Sequence, residues 1–181
     1  MFDDSDIKIA GNKPSQSINK NTSDDDDGLL TAEQKKSAKQ LGISIAKTFL
    51  KNVDTVFADD NTDSQMLTQR QLLLSFTVTV TLDEYCINDT VSGIAEKSFL
   101  DTLKKDAIDT YNTCSDTGAF SFYYLAYRRN TEIDRRMGQT FAMLCSHDGD
   151  PIYQELGEAL YCWFVSVVKK EIVSHKLNKT A

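Results

Sequence analysis

Ser75-Phe76-Thr77-Val78-Thr79-Val80-Thr81-Leu82 alternates polar and apolar residues strictly and is rich in β-branched side chains. Taken alone, it reads as a half-buried strand. A strand needs partners, and the rest of the chain offers only residues 119–127 as another candidate. Two lone strands make a marginal sheet. Both flanks repeat apolar residues every three or four positions, and tertiary context overrides local propensity. The stretch is therefore expected to be a buried helix, and the chain all-α.

Working outward, Thr31-Ala32-Glu33-Gln34 is a capping box, and Ala38, Leu41, Ile45, Phe49, Val53 and Val56 follow on one helical face. Thr62-Asp63-Ser64-Gln65 is a second capping box, opening the segment that holds the alternating stretch. Val91, Ile94, Leu100, Leu103, Ala107, Tyr111 and Cys114 form a third face. Phe122, Ala126, Arg129, Ile133, Met137, Phe141 and Leu144 keep helical phase across Asn130, so one long helix or two nearly collinear ones are expected. Asp150-Pro151 is an N-cap followed by proline at the first helical position. The last helix is uncharged from Ala159 to Val168, which predicts a central place for it. The expected architecture is an up-and-down bundle of about five long helices, near 31–58, 62–87, 91–114, 119–146 and 150–177. Short connections favour antiparallel neighbours.

Residues 1–28 differ in kind. Seven aspartates (Asp3, Asp4, Asp6 and Asp24 to Asp27) face three lysines, with almost no large apolar residue. The segment is expected to be a disordered acidic tail preceding a helical domain over 29–178. It carries −4 of the net charge of −7.

The whole chain has 181 residues, 40% hydrophobic and 26% charged, with two prolines and eight glycines. These values exclude collagen-like, proline-rich and turn-dense all-β classes. The negative balance makes nucleic acid an unlikely partner by bulk charge. No apolar run reaches the ~20 residues that span a bilayer, and the first residues hold no secretory apolar core. Cys86, Cys114, Cys145 and Cys162 have no C-x-x-C spacing and read as reduced thiols. The expectation is a cytoplasmic protein without a membrane partner.

The most unusual local composition is Tyr123-Tyr124-Leu125-Ala126-Tyr127-Arg128-Arg129, followed by Arg135-Arg136, which holds four of the five arginines. Arginine forks and tyrosine rings are enriched in interfaces. Tyr124, Tyr127, Arg128, Arg129, Arg135 and Arg136 are therefore candidate binding residues. On a continuous helix Glu132 would pair with several of these arginines and absorb much of their charge.

A second reading follows from the up-and-down topology, which gathers Asp83, Cys86, Cys145 and His147 at one end of the bundle. Thiolate, imidazole and carboxylate together could bind zinc or another divalent metal, as in a hydrolase. The spacing matches no finger or H-E-x-x-H pattern. His147-Asp148 lacks the further histidines of a His-Asp metal dyad, because His175 is the only other one and lies at the far end. Glu155 and Glu158 form an E-x-x-E pair, but the second acidic pair, Asp106 and Asp109, is predicted at the opposite end. No glycine-rich phosphate loop and no G-x-S-x-G is present. The primary expectation is thus a non-enzymatic helical bundle without a cofactor, acting through a protein partner or self-association. The metal-dependent enzyme is the alternative.

Overall fold

The computed structural model describes residues 30–55, 64–115, 118 and 120–179; the acidic segment, the Thr62 capping box and Val56 lie outside these residues. Among the described residues there are seven helices and no named strand. They are α1 (Ala32–Thr55), α2 (Ser64–Tyr85), α3 (Asp89–Asp106), α4 (Ile108–Cys114), α5 (Ser121–Tyr127), α6 (Ile133–Leu144) and α7 (Pro151–Ser174).

The alternating stretch is helical and lies inside α2. Leu72 to Leu82 are all buried apart from the half-buried Thr79. Leu74, Val78 and Leu82 enter one core, whereas Leu72, Leu73, Phe76 and Val80 enter another. A helix packed on both sides needs no polar face, so its pattern carries no 3.6-residue period. The threonines tolerate burial because a helix offers them acceptors. Thr77 Oγ1 donates to the Leu73 carbonyl at 2.7 Å, and Thr79 Oγ1 donates to Glu96 at 2.7 Å.

The first core joins α1, α3, one face of α2 and the second half of α7 around Phe49. Phe49 meets Phe99 and Phe164 edge-on, at 5.4 and 6.0 Å between ring centroids. Each such pair contributes about 0.5–1.5 kcal/mol beyond burial. The second core joins the other face of α2 to α5, α6 and the first half of α7. Phe76 anchors it, stacking on Tyr123 and meeting Phe120, Tyr124 and Tyr127 edge-on.

The predicted helix starts hold where they are described. Thr31 and Gln34 exchange backbone-to-side-chain bonds at 3.0 and 3.1 Å. Asp150 Oδ1 accepts from Ile152 N at 2.9 Å with Pro151 at the first helical position.

Three expectations are corrected. The third predicted helix breaks at Ala107, a non-helical residue at φ −153° and ψ 77°, into α3 and α4. The fourth breaks at Asn130 and Glu132, both left-handed at φ 51° and 48°. A five-residue turn there folds α6 back against α5 instead of continuing it. Finally, α7 has the central place expected of it, entering both cores, but it is not buried all round. Its buried residues, Gly157, Tyr161, Phe164, Val168 and Ile172, form one stripe, while Trp163 and Val173 are exposed. The helix buried on every side is α2.

After α7 the chain runs back over the end of α2. Leu177 O accepts from Ile87 N at 2.8 Å, and Lys179 N donates to Tyr85 O at 3.0 Å. No helix among the described residues is long and apolar enough to cross a membrane.

Candidate functional site

The six candidate binding residues lie on α5, on the turn after it and in the first turn of α6, and of them Arg129 and Arg136 line one groove. α5 presents Tyr123 and Ala126 to the core and leaves Phe122 and Leu125 outside. α6 buries Met137, Gly138, Phe141 and Ala142 and leaves Met143 outside. Phe122, Leu125 and Met143 are 51%, 62% and 41% exposed, which is high for large apolar side chains that share one groove. The groove encloses about 210 Å³. Ala126 floors it, and Gln139 and Thr140 add polar groups. Arg129 and Arg136 line it next to the turn, so it is cationic at the turn and apolar away from it.

The arginines are less neutralised than a continuous helix would make them. Glu132 sits in the turn itself. Its carboxylate lies 3.6 Å from Arg135 Nη1, with both side chains about two-thirds exposed. Such a pair contributes roughly 0–1 kcal/mol. Arg136 Nε donates to the Thr131 carbonyl at 2.8 Å. Among the described residues Arg128 and Arg129 have no ion pair, and both are exposed.

The tyrosines have a different role from the arginines. Tyr124 and Tyr127 lean on Phe76 at 5.0 and 6.1 Å between centroids. Tyr127 Oη donates to Glu84 Oε2 at 2.9 Å. Burial and that carboxylate push the Tyr127 hydroxyl up to about 12. These rings dock α5 onto α2 and so position the groove.

The structure does not bring the four candidate metal ligands together. Asp83 and Cys86 lie at the end of α2, where Ser92 Oγ donates to Asp83 Oδ1 at 2.5 Å. Burial and the charge of Asp83 push the Cys86 thiol up to about 11. Cys145 is buried in the second core, and the His147 ring stacks on Tyr153 at 3.7 Å. Gln65 Nε2, in the first turn of α2, donates to Leu144 O at 2.8 Å and Ser146 Oγ at 3.1 Å. The two halves of that candidate site are therefore separated by most of the length of α2, about 27 Å from Gln65 to Asp83 at 1.5 Å per residue. The reason is the turn at Asn130. Folding the fourth predicted helix in half sends its end to the opposite end of the bundle. Among the described residues no group of three or more histidine, cysteine, aspartate or glutamate side chains could hold a metal ion.

A second cavity, of about 320 Å³, was invisible to sequence reasoning. It lies where the ends of α2 and α5, the start of α6 and the middle of α7 meet. Glu84, Tyr85, Tyr127, Asp134, Tyr161 and Lys169 line it. They come from four helices, and no local spacing links them.

Comparison with protein-family models, curated proteins and solved structures finds no match to this chain.

Proposed function

We propose that this chain is a non-enzymatic helical-bundle protein that binds an acidic amphipathic helix of another protein in the α5–α6 groove. The observation that carries the reading is the union of three exposed apolar side chains, Phe122, Leu125 and Met143, with Arg129 and Arg136 in one groove. An apolar helix face fills the former, and carboxylates on its flank pair with the latter. Arg128, which caps α5 just before Arg129, is exposed and has no ion pair among the described residues.

A second copy of the chain is the poorer occupant. A two-fold contact through this face would bring up a second groove whose lining, like the first, holds two arginines and no carboxylate to pair with them. The cysteines also weigh against thiol chemistry. The Cys86, Cys114 and Cys162 thiols are each pushed up to about 11, burial being the first cause, so they are protonated near neutral pH and poor nucleophiles.

A photo-crosslinking residue placed at Leu125 in the full chain tests the reading. The expected result is a defined adduct that is lost when Arg129→Glu and Arg136→Glu are added, whose crosslinked peptide is acidic and helically amphipathic. An adduct that survives both substitutions, an adduct to a second copy of this chain, or no adduct beyond that of the same residue placed at Glu33 would overturn it.

A further inference from the structure

The cavity between α2, α5, α6 and α7 has the chemistry of a cation cage. Three tyrosines line it, Tyr85 from α2, Tyr127 from α5 and Tyr161 from α7. Two carboxylates join them, Glu84 and Asp134, against one lysine, Lys169. Ile133 and Val165 supply apolar wall. The volume of about 320 Å³ is at the lower end of small-molecule pockets.

One ammonium is already held there by an aromatic face. Lys169 Nζ sits 3.8 Å from the centroid of the Tyr85 ring, well inside the distance at which a ring quadrupole attracts a cation. Tyr127 Oη donates to Glu84, which fixes that ring beside its carboxylate. Lys169 leaves the lining one negative charge in excess.

From this arrangement we infer that the cavity binds an organic ammonium ion, held against the Tyr127 and Tyr161 rings and paired with Asp134 and Glu84. The acidic groups around it point the same way. Burial, followed by the charges of nearby groups that include Asp134 and Glu84, holds the Tyr161 hydroxyl above its usual range. Burial and the carboxylate of Asp134 push the Cys162 thiol up to about 11. The carboxylates' share of these shifts favours a positive ligand over an anion, whereas the burial share penalises a charge of either sign. An apolar body on the ammonium uses Ile133 and Val165, which a bare inorganic cation does not. The cavity is separate from the α5–α6 groove, so the inference stands whether or not the groove binds a helix.

Titration of the full chain with benzyltrimethylammonium chloride at constant ionic strength, followed by calorimetry and by the tyrosine ring NMR signals, tests this. Saturable binding is expected, with shifts confined to Tyr85, Tyr127 and Tyr161. Asp134→Asn is expected to weaken it about tenfold, and Lys169→Met, which removes the competing ammonium, to tighten it severalfold. Arg129→Glu, in the groove, is expected to leave it unchanged. Asp134 is exposed, so its substitution leaves the cores intact; circular dichroism of the variant checks this. No saturable binding, equal binding of the neutral isostere neopentylbenzene, or unchanged affinity in Asp134→Asn would overturn the inference.

Discussion

Gln65, in the first turn of α2, donates its side-chain amide to the backbone carbonyl of Leu144, the last residue of α6, at 2.8 Å. This bond marks the end of the bundle that α6 reaches after the turn at Asn130 has sent it back. Cys145 and His147 follow Leu144 directly, so they lie beside the start of α2 while Asp83 and Cys86 lie at its end. Spin labels at Asp89 and Asp148, in a chain with its four cysteines replaced, are therefore expected to be separated by more than about 20 Å. A distance under about 15 Å would restore the five-helix arrangement and the metal site it implied.

Two glycines make opposite predictions. A Cβ at Gly138 of α6 would collide with the Gln154 carbonyl of α7. Gly138→Ala is expected to cost about 1–3 kcal/mol, because backbone cannot step aside as a flexible side chain does. A Cβ at Gly93 of α3 meets nothing within 4 Å. Gly93→Ala is expected to stabilise by roughly 0.5–1 kcal/mol through helix propensity alone. Urea unfolding of the two variants checks both signs.

Tyr123 is fully buried against Phe76, and its hydroxyl has no hydrogen-bond partner among the described protein groups. Removing an unsatisfied buried hydroxyl relieves its desolvation. Tyr123→Phe is expected to leave stability unchanged or raise it by up to about 1 kcal/mol. A loss larger than 1 kcal/mol in denaturant unfolding would show that the hydroxyl is satisfied.

Alkaline pH is expected to destabilise the fold. The Cys86, Cys114 and Cys162 thiols are raised from 9.0 to about 11, and the Tyr127 hydroxyl from 10.0 to about 12. In each case the folded state prefers the proton more than the unfolded state does. The stability this linkage supplies is complete below about pH 9 and is lost as pH rises to about 11 and 12. Thermal unfolding between pH 7 and 11 is expected to show a falling midpoint from about pH 9. Replacing Cys114 by serine removes its share, and a profile flat to pH 11 would contradict the shifts.

Much of the helical content was legible in the sequence because it rests on local signals. The Thr31 capping box and the Asp150-Pro151 start form as their residues require. The two breaks were hidden because hydrophobic phase runs through them. Leu103, Ala107, Tyr111 and Cys114 keep one face across the bend at Ala107, and Ala126, Ile133 and Met137 do so across the turn. Asn130 carried a signal for the turn, since asparagine tolerates the left-handed conformation; Glu132 did not. The uncharged run in α7 pointed to a central helix, and α7 does enter both cores, but along one stripe; the helix buried on every side is α2, where buried threonines imitate a strand. The arginine cluster was legible as composition. Its groove was not, because Met143 reaches Phe122 only after the chain has turned back.

Binding of an acidic amphipathic helix in the α5–α6 groove is the proposal with the most to lose in a single experiment. The most direct measurement is fluorescence anisotropy of two labelled helical peptides, one with glutamates flanking a leucine stripe and one with lysines in their place. Each is titrated with the native chain and with the Arg129→Glu, Arg136→Glu double variant. The native chain is expected to bind the acidic peptide at least tenfold more tightly than the basic one, and the double variant to reverse the preference. Equal affinity for both peptides, or a preference unchanged by the two substitutions, would contradict it.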